Sequence, residues 1–151
     1  MSANSRYGAM LEGLQAEHHK LNCVVSAIRH LLDDSVANSS SAVLLGLLNS
    51  LRCDLLAHFA AESDGCLNDV ATRCPSTAGK IKAIETEHRQ LVQSLDGLLE
   101  QSRTRAGAAP QLRSRLNAFA DQLHAHEAAE SRLVQYAFGG DTSDYDVEGN
   151  D

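Results

Sequence analysis

Two short segments, His58-Phe59-Ala60-Ala61-Glu62 and His126-Glu127-Ala128-Ala129-Glu130, most narrow what this chain can fold into. Each places an imidazole and a carboxylate four residues apart, which stacks them on one face of an α-helix, one turn apart. Such a pair holds one metal ion, or lets the carboxylate bridge two. One pair is a weak signal. Here the pair recurs at an offset of 68, and Glu17-His18 recurs as Glu87-His88 at an offset of 70. The apolar residues around them repeat as well, Leu21, Val25 and Ile28 matching Leu91, Leu95 and Leu98. The chain therefore reads as two helix pairs of one design folded about a shared core.

Apolar spacing of three and four residues predicts four long helices. The first is expected from Gly8 to Leu32, after a loose start over 1–7. The second runs from Ser40 or Ser41 to Arg73, with Asp64-Gly65 inside it as a point of bending. The third runs from Ser76 to Ser102, and the fourth from Pro110 to Ala137. Pro110 suits a first turn, where its missing N–H costs nothing. Asp33 to Ser41 is rich in Asp, Asn and Ser, residues that end helices and cap the next one. Arg103 to Ala109 is read as a linker, and 139–151 as an acidic, disordered tail. Long helices with short connections imply an all-α, antiparallel up-down-up-down four-helix bundle, with 8–138 as one domain.

Chain geometry brings the histidines to one level. His18 lies ~15 residues before the first connection and His58 ~17 after it, so at ~1.5 Å per residue both sit ~24 Å from that turn. The same count across the other two connections places His88 and His126 at nearly that height. All four lie on the apolar stripe of their helix. Four imidazoles and two carboxylates, Glu62 and Glu130, are thus expected in one layer of the core. Burying that set without a compensating ion costs several kcal/mol per charge, so the layer is read as a metal site. His19, His30 and His124 point away from the layer or lie off it, and are read as surface residues.

Composition limits the remaining options. Leu and Ala dominate and β-branched residues are sparse, which favours helix over sheet. The net charge of -7, with no basic cluster, argues against nucleic acid and an anionic membrane as partners. No apolar run was found that approaches the ~20 residues of a membrane span. Met1 to Tyr7 lacks the apolar core of a signal peptide, and a cytoplasmic location is expected. Cys23, Cys53, Cys66 and Cys74 show no Cys-x-x-Cys spacing and are read as free thiols.

The motif set resembles the hemerythrin-like (HHE cation-binding) family, marked by a His on the first and third helices and His-x-x-x-Glu on the second and fourth. The resemblance rests on Glu17-His18, His58 to Glu62, Glu87-His88 and His126 to Glu130, and covers nearly all of 8–138. It implies a bundle around two non-haem iron ions joined by an oxo or hydroxo bridge. His18, His58, His88 and His126 would be terminal ligands, and Glu62 and Glu130 would bridge. The oxygen carriers of that family have a further His one turn before the third-helix ligand, where this chain has Ile84. Four histidines, two bridging carboxylates and one bridging oxygen make ten bonds, against twelve for two octahedral irons. Glu85 and Glu127 are candidates for a vacant position. Phe59 and Phe119 are expected to limit water at the site. The resemblance then implies a protein that binds, senses or reduces a small diatomic or peroxide (O2, H2O2 or NO), with peroxidase or catalase-like turnover as one form. The alternatives are iron storage or donation, and a regulatory module whose metal is structural.

Overall fold

The structure, a computed structural model, describes residues 3–33, 41–104 and 109–139, and all of the regular structure there is helical. Helix α1 spans Ala3–Asp33, α2 Ser41–Asp64, α3 Cys66–Arg73, α4 Ala78–Thr104 and α5 Ala109–Phe138, with one 3-10 turn at Pro75–Thr77. The expected connections within 34–40 and 105–108, and the tail beyond Gly139, lie outside the described residues.

Contacts between helices set their directions. From residue 22 through 29 to 33 on α1, the partners on α5 run backwards: Glu127 and His124 for Asn22, Asn117 for Arg29, and Arg113 for Asp33. Along α4, Glu87, Ser94 and Gln101 meet His126, Gln122 and Arg115 of α5. Between α2 and α4, Arg52 meets Asp96 and Phe59 meets His88. Each of these pairs is antiparallel, so α1 and α2 run opposite as well. The result is the expected up-down-up-down bundle, with α2 and α3 forming one column.

The helices differ most from the sequence reading at two places, and the other helix ends move by two residues or fewer. Helix α1 begins at Ala3, not Gly8. Nothing in Ala3 to Tyr7 breaks a helix, and the Tyr7 ring stacks on Phe138 with centroids 6.5 Å apart. The second column is interrupted at Gly65, whose φ is -105° and ψ is -102°. A Cβ on Gly65 would stand 2.8 Å from the Ala61 carbonyl oxygen, so glycine permits this close approach. The ladder resumes at once, with Asp69 N–H donating to the Gly65 carbonyl at 3.0 Å. The kink is thus local. After it, Thr77 donates its hydroxyl to the Cys74 carbonyl at 2.6 Å, which holds the turn into α4.

The core has two apolar clusters. One holds Leu21, Val25, Ile28, Leu51, Leu55, Leu91, Leu95, Leu116, Phe119 and Leu123. The other, at the end near the chain termini, holds Leu14, Leu67, Val70, Ile81, Ile84, Leu133 and Val134. Each fully buried Leu contributes roughly 1.5–3 kcal/mol. The His and Glu layer lies between the two, so packing on both sides fixes its height.

Helix α2 is more apolar than the sequence reading allowed. The stretch Ala42–Arg73 is long and apolar enough to cross a membrane by length and composition alone. Within that stretch, which covers α2 and α3, His58, Phe59 and Glu62 are turned into the bundle interior.

Candidate metal centre

His18, His58, His88, His126, Glu62 and Glu130 are all buried, and they come from four different helices. Their donor atoms form two overlapping groups, each spanning no more than 4.8 Å: His18, His58, Glu62 and Glu130, and Glu62, His88, His126 and Glu130. Both carboxylates belong to both groups. Glu62 Oε1 lies 2.7 Å from His58 Nε2 and 3.8 Å from His88 Nε2. Glu130 Oε1 lies 2.9 Å from His126 Nε2 and 3.4 Å from His18 Nε2, while its Oε2 lies 3.7 Å from His88 Nε2.

These short distances are not hydrogen bonds. All four Nε2 atoms and all four oxygens of Glu62 and Glu130 are buried without a hydrogen-bond partner. Buried polar atoms are rarely left so, because each costs ~1–3 kcal/mol. Eight orphaned donors aimed at one small space are the pattern a cation resolves.

Burial also sets the protonation state that ligation needs. Desolvation pushes the His88 imidazole down to about 3, helped by the neighbouring His126, His58 and Arg89. Desolvation lowers His18 too, against the opposing pull of Glu127. A neutral imidazole offers a lone pair, where a charged one would repel a cation.

The outward faces of the rings are supported in different ways. His126 Nδ1 donates to Glu87 Oε1 at 2.7 Å, across the gap between α5 and α4. This bond puts the proton on Nδ1 and leaves the Nε2 lone pair facing inward. His18 Nδ1 lies 3.9 Å from Glu127 Oε2. Glu127 in turn accepts from Asn22 Nδ2 at 3.1 Å, and Asn22 Oδ1 lies 2.8 Å from His124 Nε2. The His88 ring stacks flat on Phe59, centroids 3.8 Å apart and planes 9° apart.

The two less certain candidates are placed outside the donor groups. Glu127 is buried but turned to Asn22 and the back of His18. Glu85 is half-buried and lines a pocket beside Phe59 and His88. Glu87 was noticed only as the neighbour of His88, and its role as the partner of His126 was missed. The repeat held a hint, since a carboxylate precedes the His in both halves. His19, His30 and His124 are exposed, and His19 Nε2 sits 3.5 Å from Cys23 Sγ. All four cysteines are free.

An antiparallel four-helix bundle with a buried layer of four His and two Glu is a metal-binding bundle. The chain matches the family described as hemerythrin HHE cation binding domain over residues 9–138, and it belongs to that family. No curated protein and no solved structure matches it.

Proposed function

We propose that this chain is a cytoplasmic di-iron protein that binds, senses or reduces a small oxidant: O2, H2O2 or NO. The observation that carries the reading is the sharing of Glu62 and Glu130 between two groups of orphaned donors. In it, His18 and His58 would hold one ion and His88 and His126 the other, with Glu62 and Glu130 available to both. Mixed imidazole and carboxylate donors suit iron, and a ferrous pair supplies the electrons by which an oxidant is bound or reduced.

The chain's own part is to bind, orient and exclude water. Glu87 holds His126 in one tautomer, and the Asn22–Glu127 pair backs His18. Phe59 covers one face of His88. Ile84, buried one turn before His88, presents a side chain that cannot coordinate. Four imidazoles and two carboxylates, with no fifth imidazole at Ile84, would leave the ions less fully ligated by protein than in an oxygen carrier. That favours a reactive or sensing site over a reversible oxygen store.

Metal analysis with optical and Mössbauer spectra tests this reading. Two irons per chain and oxo-bridged ferric bands are the expected result, followed by spectral change on titration with O2, H2O2 or NO. A colourless, magnetically mononuclear iron protein overturns it.

A further inference from the structure

The internal repeat pairs each residue around the layer with a counterpart in the other half, and at three positions the chemistry is reversed. Asn22, His124 and Glu127 form one hydrogen-bonded polar cluster behind His18. Their counterparts at the same repeat offsets are Val92, Leu56 and Phe59, all apolar. Both ends of the layer thus have a backing of the same shape, one polar and bonded, the other greasy and unbonded.

The apolar trio lines a pocket. It is an open pocket with a volume of about 610 Å³, lined by Leu56, Phe59, Ala60 and Val92 together with His88. Glu85 and Arg89, opposite in charge, also border it. The pocket beside His58, about 310 Å³, is bordered instead by Glu17, Lys20 and Asp54. A third, about 200 Å³, has Lys80, Glu87 and Arg132 around it. All three have apolar side chains in their walls, Leu21, Ala57 and Ala61 beside His58 and Ala83, Ile84 and Leu133 in the third, but the pocket at His88 is the largest and the one with an aromatic ring, Phe59. Leu56, 41% exposed, stands in its wall toward solvent, and the Phe59 ring, 6% exposed, lies flat on His88 at its floor.

Resting on the reading of the layer as a metal centre, we propose that this pocket is the port by which a small uncharged ligand reaches the layer, and that Phe59 sets what passes. The two ends of the layer are then inequivalent. Ligands arrive beside His88, while the polar cluster of Asn22, His124 and Glu127 fills the corresponding place behind His18.

The test compares two bulky substitutions at exposed positions, one in each pocket. In Leu56→Trp the new ring blocks the proposed port. Ala57→Trp places the same bulk beside His58. On the iron-loaded protein, Leu56→Trp is expected to slow NO association and dissociation together, each roughly tenfold, with the equilibrium affinity unchanged. A blocked doorway changes rates, whereas damage to the site changes affinity. Ala57→Trp is expected to leave both rates alone. Equal slowing by the two variants, or none by Leu56→Trp, overturns the port.

A second measurement does not depend on redox chemistry. Xenon, an uncharged apolar probe, is added to the zinc-loaded, diamagnetic chain. The methyl resonances of Leu56 and Val92 are expected to shift, those of Leu21 in the pocket beside His58 are not, and Leu56→Trp is expected to remove the effect. Absence of the Leu56 and Val92 shifts overturns the port even if zinc binds with the expected stoichiometry. Failure to bind metal overturns the centre instead, so the two failures are distinguishable.

Discussion

Glu87 Oε1 lies 2.7 Å from His126 Nδ1, and through this bond a residue of α4 orients a donor on α5. The His126 side chain is 2% exposed and that of Glu87 is 39% exposed, so the carboxylate reaches in from the rim. Removing it leaves the fold nearly untouched but frees the imidazole to rotate or to take the wrong tautomer. Glu87→Ala is expected to weaken metal affinity by roughly 10–100-fold while helical content is kept. Titration calorimetry with a divalent ion and circular dichroism check the two parts. Unchanged affinity would mean that His126 is held by packing alone.

Glu62 and Glu130 carry the strongest conflict between stability and function. Without metal, their four oxygens are buried and unbonded. Neutralising one of two neighbouring buried carboxylates removes the cost of burying its charge. Glu130→Gln is therefore expected to raise the denaturation midpoint of the metal-free protein and to abolish the two-ion site. The same variant is expected to gain less stability than wild type when metal is added, because binding is linked to folding. Two ions per chain in this variant would remove Glu130 from the bridging role.

That His18, His58, Glu62, His88, His126 and Glu130 meet in one buried layer was legible in the sequence because their placement is local. An i, i+4 pair shares a helix face whatever the tertiary structure, and equal distances from the turns put four helices in register. What stayed hidden is what crosses between helices. Glu127 reads as a neighbour of His126 and so as a spare ligand, yet its side chain reaches α1 and meets Asn22. Glu87 stands in the sequence only as the residue before His88, yet it bonds His126. The next residue in a helix points ~100° away, so adjacency in sequence misleads about contact. Gly65 was recognised as a weak point but not as a break, because the break depends on a backbone contact with Ala61.

Cys66 follows Glu62 by one turn and sits against the apolar cluster at the terminal end of the bundle. Burial pushes its thiol up to about 11, and the charge of Glu62 adds to this. The thiolate is the reactive form. Cys66 is therefore expected to react with an alkylating reagent at pH 8 far more slowly than the exposed Cys23 and Cys53, by ~100-fold or more given the thiolate fraction. Mass spectrometry of time points shows the order of labelling. Labelling of Cys66 as fast as Cys23 would indicate that this end of the bundle opens readily. Cys66→Ser is expected to keep both metal ions, since Cys66 is in neither donor group.

The depressed His88 has a consequence for acid stability of the metal-free chain. In the unfolded state its imidazole titrates near 6.5, while in the fold burial holds it at about 3. Between these values the unfolded chain carries a proton that the folded chain refuses. Stability therefore falls as pH drops, the contribution being complete above 6.5 and lost progressively toward 3. His18 is lowered in the same direction and adds to the slope. Urea midpoints of the metal-free protein are expected to decline from pH 7 to pH 4, and His88→Gln, which cannot take the proton, is expected to flatten the decline. An equal slope in the two proteins would assign the acid sensitivity to other groups.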